Sequence, residues 1–256
     1  MPLSPLASIA LLVTALFALP WHAGAAEEKP LPAAVEAIDG QSLRLEDGSI
    51  LRLAGIIAPD ATSGPERRMA DEARRALQAL AVGKTIRAQA PVERRDRHDR
   101  RLLQVKNGDG KWLQGELLQA GLARVWTQPD AIEGAGEMLA LEAQARTDRQ
   151  GLWALPYFAI LTGETAAQAL DRFQIVEFTV MDVARVRGTV YLNAGRDWRS
   201  DLTARLERPA VKLFADAGQD FTALKGRTIR MRGWLRLYNG AFMDISHPQQ
   251  IEVVGP

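Results

Sequence analysis

The sequence predicts an α+β fold rich in short strands, and three observations carry that prediction. Short runs alternating apolar and polar residues are divided by Asp39-Gly40 and Asp47-Gly48, pairs that tolerate the positive φ of a hairpin turn. Three longer runs repeat apolar residues at helical spacing and stop at Gly83, Gly121 and Gly151. A second strand-rich stretch follows a punctuated segment, and Asn239-Gly240 marks a hairpin inside it.

In chain order, Val35–Ile38, Ser42–Leu45 and Ile50–Leu53 read as strands. Glu66 to Leu80 sets Met69, Ala73, Ala76, Leu77 and Leu80 on one helical face. Thr85–Ala90 and Leu102–Lys106 return to strand character. Leu113–Ala120 and Glu133–Arg149 read as a second and third helix. Pro156 and Gly163 punctuate Leu155 to Thr165. Beyond it the expected strands are Ile175–Ala184, Thr189–Asn193, Leu202–Leu206, Thr228–Trp234, Phe242–Ile245 and Ile251–Val254. No sequence repeat links the two halves. The expected organisation is a leader over 1–25, a first domain over 33–154, a linker over 155–172 and a β-rich domain over 173–256.

At 256 residues the chain has room for one large domain or two small ones. The formal net charge is +1, so no global basic field draws in nucleic acid. A local patch is supplied by Arg94, Arg95, Arg97, Arg100 and Arg101. A solvated loop balanced by Glu93, Asp96 and Asp99 fits the same residues. The absence of cysteine excludes disulfides, thiolate nucleophiles and cysteine–metal sites. Leu6 to Leu19 is an apolar run of signal-peptide length, and Ala23-Gly24-Ala25 offers a cleavage site. The expectation is export to the periplasm or medium, with the mature chain starting near Ala26 and no transmembrane domain after cleavage. An uncleaved anchor is the rival, since the leader has no Lys or Arg before its apolar run.

The stretch Leu51-Arg52-Leu53-Ala54-Gly55-Ile56-Ile57-Ala58-Pro59-Asp60 puts an arginine on a strand and a carboxylate eight residues later. A second cluster follows, Asp96-Arg97-His98-Asp99-Arg100-Arg101. Two arginines and a carboxylate suit attack on a phosphodiester. Guanidinium groups hold phosphate oxygens by paired charge-assisted hydrogen bonds and offset developing charge. A carboxylate can take a proton from water. Bland readings fit too: Arg52 as a surface residue between Leu51 and Leu53, and Pro59-Asp60 as a turn pair. With His22, His98 and His247 the only histidines, a histidine-rich zinc site is disfavoured. Trp112, Trp126, Trp153, Trp198 and Trp234 could stack on bases, but Trp153 at a helix end and Trp234 in a strand read as core.

Four segments, in order, resemble the staphylococcal nuclease (thermonuclease-like) family. Asp39-Gly40-Gln41-Ser42 is similar to its DGDT. Arg52 to Asp60 is similar to its R-L-x-G-I-D-A-P-E, and Asp96 to Arg100 to its D-x-Y-G-R. Glu142-Ala143-Gln144-Ala145-Arg146 with Gly151-Leu152-Trp153 is similar to its closing helix. The resemblance implies a five-stranded barrel of the oligonucleotide-binding (OB) type. Lys225 to Gly233, then Tyr238-Asn239-Gly240, resembles the end of a second such barrel.

The resemblance also implies roles. Arg52 would hold phosphate, Asp60 would be the general base in place of a glutamate, and Arg100 would stabilise the leaving group, with Arg101 competing for that part. Arg97 and His98 would touch substrate. Asp99 stands where the family has glycine. The family's calcium acids fall at Gln41 and Ile57, so calcium is expected to bind weakly or not at all. Asp39 and Gln41 are weak metal candidates only, and no other cofactor is implied. Two functions stay open: a hydrolase acting on DNA or RNA, and a non-catalytic module binding nucleic acid or a cell-envelope protein through its C-terminal domain.

Overall fold

The computed structural model describes residues 28–60, 64–89, 94–197 and 199–255. The leader expected over 1–25 lies outside the described residues, as do Glu93 and Trp198. Among the described residues no helix is long and apolar enough to cross a membrane.

The first half runs β1 (Lys29–Pro30), β2 (Ala34–Ala37), β3 (Ser42–Leu45), β4 (Ile50–Leu53), β5 (Ile56–Ile57) and α1 (Gly64–Ala81). It continues through β6 (Ile86–Ala88), β7 (Arg94–Arg95), β8 (Arg101–Leu103), β9 (Val105–Asn107), α2 (Leu113–Gln119), β10 (Arg124–Val125) and α3 (Ala135–Thr147). Strand pairing runs β2–β3–β4–β8–β7, and β1–β6–β9 forms a separate three-stranded sheet that shares the same core. The β4–β8 pair is parallel and the other pairs of these two sheets are antiparallel. This is the five-stranded barrel that the resemblance implied. Period-two alternation sends Leu43, Leu45, Leu51 and Leu53 inward, against Ala73 and Leu77 of α1 and Leu113 and Leu117 of α2. Gly40 lets the β2–β3 turn press on α1, because a Cβ there would collide with those of Ala73 and Ala58.

The expected strand Leu102–Lys106 is two strands. Gln104 breaks it: its buried amide donates to Ala54 O (3.2 Å) and Glu133 O (3.3 Å) and accepts from Trp112 Nε1 (2.8 Å). Buried polar groups need such partners. The expected linker 155–172 is ordered, holding short 3₁₀ turns and β11 (Leu161–Thr162), with Phe158 and Ala166 buried.

The second half contains β12 (Phe173–Thr179), β13 (Asp182–Val186), β14 (Thr189–Asn193), β15 (Thr203–Leu206), α4 (Arg208–Asp216), β16 (Thr228–Leu237), β17 (Ala241–Ile245) and β18 (Ile251–Gly255). The expected strand Ile175–Ala184 is thus β12 and β13, interrupted at Val180-Met181. Pairing runs β12–β16–β17–β15–β14–β13, and again one pair, β15–β17, is parallel. The strand order of the first barrel therefore recurs without a repeat in sequence. Helix α4 was not expected; Pro209 lies in its first turn, where a missing N–H costs nothing. Trp234 corrects an expectation. It is 45% exposed, because period two points its neighbour Leu235 into the core and Trp234 outward.

Charged and aromatic side chains join the barrels. Arg232 of β16 is fully buried and donates to Glu142 of α3 (2.8 Å) and to Val125 O (3.2 Å), and it also pairs with Glu252. Glu142 accepts in addition from Val125 N (2.8 Å). Burial pulls the Arg232 guanidinium down, but the carboxylates of Glu142 and Glu252 outweigh it, so its pKa is raised. Arg124, stacked 4.7 Å over the Phe173 ring, is pushed down to about 10 by burial, with Glu142 and Glu66 opposing. Trp126 meets Phe173 edge-on at 5.3 Å.

Buried His247 completes the join. Its ring lies 2.7 Å from Thr127 Oγ1 and 2.8 Å from Ser246 Oγ. Burial pushes its pKa down to about 4. The unfolded chain takes up this proton near 6.5. The folded-state value is the lower one, so the stability is complete above about pH 6.5 and is lost as the pH falls toward 4. The loss should be on the order of 3 kcal/mol. Urea unfolding across that range, compared with His247→Gln, should show a steeper acid loss in the parent chain; equal slopes would reject the assignment.

Candidate functional site

Arg52 sits on β4 between Leu51 and Leu53, which are both fully buried. Alternation therefore turns it to the barrel's outer face. Arg100 immediately precedes β8, the parallel partner of β4 in which Arg101 stands opposite Leu51. The two arginines thus meet at one end of that pair. Burial lowers the Arg52 pKa, and the positive charge of Arg100 lowers it further; Asp39 and Asp96 oppose both. Among the described residues the Arg52 guanidinium has neither a hydrogen bond nor an ion pair.

Arg100 is held by a tight turn. Asp96 N donates to Arg100 O (3.0 Å), and Asp99 N to Asp96 O (2.9 Å). The Asp96 carboxylate accepts from the backbone N–H groups of His98 (2.9 Å) and Arg100 (3.1 Å) and from Arg100 Nε (2.7 Å). Burial pushes the Asp96 carboxyl up, but the Arg100 guanidinium and these N–H groups prevail and hold it below its ordinary range. Asp99 adopts the left-handed conformation (φ 61°). Its place in a turn explains that, since aspartate tolerates this region better than most residues.

The remaining candidates are more scattered. Arg97 Nε donates to His98 Nε2 (3.0 Å) at the exposed tip of the turn. Arg101, the competing arginine, acts on Asp47. Arg94 forms a two-bond pair with Glu133 (2.7 and 3.1 Å), and Arg95 pairs with Asp99 (3.1 Å). Much of the expected basic patch is therefore neutralised. Asp60 is exposed after Pro59, beside residues 61–63, which lie outside the described residues. The structure brings together Arg52, Arg100, Asp39 and Asp96. Asp96 as the anchor of Arg100 was missed in the sequence, although a carboxylate four residues before an arginine across a turn was its signal.

The residues at the family's calcium positions do not fit that ion. Asp39 Oδ1 accepts from Gln41 N (2.8 Å), and Gln41 Oε1 accepts from Ala58 N (3.1 Å). The Ile57 side chain has no oxygen to give. Calcium takes about six to eight oxygen ligands with carboxylates supplying charge. The Gln41 amide instead ties the β2–β3 turn to the loop after β5.

Residues 50–155 match the family model described as Staphylococcal nuclease homologue. No curated protein matches the chain.

Proposed function

We propose that residues 50–155, a staphylococcal nuclease-like domain, act on the phosphodiester backbone of nucleic acid. The supporting observation is the half-buried guanidinium of Arg52, held beside Arg100 with no bonded partner among the described residues. Two adjacent cations favour an anion bridging them, and a phosphodiester has that charge and paired oxygens. On this reading Arg52 and Arg100 hold the phosphate. Water attacks phosphorus and gives its proton to the Asp60 carboxylate. The ester P–O bond breaks, and the leaving oxygen departs beside Arg100 and gains a proton from solvent. No step is routed through calcium.

A second reading, a module that binds without cutting, is favoured by one contact: Arg100 is already engaged by Asp96. Hydrolysis of single-stranded DNA and RNA, with calcium, with other divalent ions and with chelator, separates the two. Cutting that disappears in Arg52→Ala supports the first; no cutting under any condition supports the second.

Export follows from the leader, and a cell-envelope protein remains the alternative partner of the second barrel. Sequencing the mature N-terminus should give a start near Ala26; a start at Met1 would reject cleavage.

A further inference from the structure

We propose that the outer face of the second barrel is a stacking site for the bases of single-stranded nucleic acid. This extends the reading of the first barrel and rests on it for the class of ligand. Val190, Leu192, Ala204, Leu206 and Met243 point into the second core. Alternation therefore turns Tyr191, Thr203, Arg205 and Phe242 to the opposite face along β14, β15 and β17, where Thr203 and Phe242 are themselves covered and Tyr191 and Arg205 are half-buried. With Tyr238 from the β16–β17 hairpin, Tyr191, Thr203 and Phe242 border a groove of about 380 Å³. That volume is within the range of ligand sites, about 300–1,000 Å³.

Three rings lie along this groove, those of Tyr191, Tyr238 and Phe242. Tyr238 is 63% exposed and sits edge-on to Phe242 at 5.3 Å, with Arg205 over the Phe242 ring at 5.1 Å. Ala184, directly opposite Tyr191, is too small to cover that ring. Neither tyrosine hydroxyl has a hydrogen-bond partner among the described residues. Asn193 and Thr203 add polar groups at one end. Tyr238 is the exposed ring, Tyr191 is half-buried and Phe242 is buried. The accessible faces of the two tyrosines suit any base, since every base has a π-face.

Charge selects nucleic acid over a neutral ligand. Residues 173–256 hold twelve Lys and Arg against nine Asp and Glu, whereas residues 1–172 hold 20 against 22. The basic excess therefore belongs to the second half. The acids near the groove are already matched: Asp182 with Lys225 (2.9 Å) and Asp244 with Arg205 (2.7 Å). Arg185, Arg187 and Arg236 are exposed and make no ion pair among the described residues. Arg236 stands opposite Phe242 in the strand register, where a phosphate following a stacked base would meet it. The topology agrees. In the first barrel Arg52 and Arg100 meet at the parallel β4–β8 pair, and the groove lies over the corresponding parallel pair, β15–β17.

The test is anisotropy of a labelled oligothymidylate titrated with the full chain carrying Arg52→Ala, so that nothing is cut. Adding Tyr191→Ala and Tyr238→Ala should weaken binding on the order of 10- to 100-fold. Adding Tyr191→Phe and Tyr238→Phe should leave it within about threefold, since the rings remain. An abasic backbone of equal length should bind the tyrosine-containing chain as weakly as oligothymidylate binds the alanine variant. Equal binding by the alanine variant overturns the proposal, as does equal binding of the abasic backbone or no binding at all. Should the alanine variant fail to fold, the phenylalanine variant and the abasic backbone still decide. Hydrolysis of a thymidine phosphodiester too short to span both barrels, by the chain with Arg52 intact, reports on the first barrel separately.

Discussion

Arg232→Met is expected to cost the protein about 3–5 kcal/mol of stability, the range seen when one partner of a buried ion pair is removed. Methionine fills much of the space, so the loss is electrostatic. It leaves Glu142 fully buried, with Val125 N at 2.8 Å, Arg146 at 3.8 Å and the charge of Arg124 as its remaining support among the described residues. It also leaves Val125 O without its 3.2 Å donor. Adding Glu142→Gln should recover a large part, because the amide oxygen still accepts from Val125 N and no buried charge remains at that position. Denaturant unfolding of the single and double variants measures both steps. A loss below about 1 kcal/mol would show that water reaches Glu142, since exposed pairs contribute that little.

Arg52→Ala carries the second large effect and leaves stability almost untouched. Removing one donor to a developing negative charge costs about 10²–10³ in rate where such donors have been deleted. Hydrolysis by the variant should fall at least that far. The fold should be about as stable as before, because the burial penalty and the facing charge of Arg100 outweigh Asp39 and Asp96, and no carboxylate is bonded to the Arg52 guanidinium among the described residues. A residue that burdens the fold and serves the site gives this opposed signature. Activity that survives the change would reject the site. A steep fall in melting temperature would mean that Arg52 is structural.

The strands of the first barrel were legible because Leu43, Leu45, Leu51 and Leu53 alternate with polar residues. The same alternation placed Arg52 on the outer face. Helix α1 was legible from Met69, Ala73 and Leu77. Illegible were contacts whose partners lie far apart in sequence. Arg232 follows Arg230 in an ordinary polar rhythm, and nothing local says that Glu142, ninety residues away, will neutralise it inside the protein. Gln104 gave no sign of breaking a strand, since its partners Ala54 and Glu133 come from remote loops. Trp234 reads as core from its place in a strand, but its phase relative to Leu235 turns it outward. The pairing of Asp96 with Arg100 was visible as spacing, but its effect on the Arg100 charge needed the turn.

One strand order, built twice around separate cores, bears on how this chain can evolve. Contacts between the two halves run through a join that includes Trp126, Glu142, Arg232 and His247, away from both outer faces. Changes at sites with no shared partner and more than about 7–10 Å apart add independently. Drift at Tyr191 or Tyr238 therefore has little route to Arg52, and the reverse holds. Selection can alter the residues of one face while leaving the other unchanged, and the shared join, where substitutions couple, is the part that must change slowly.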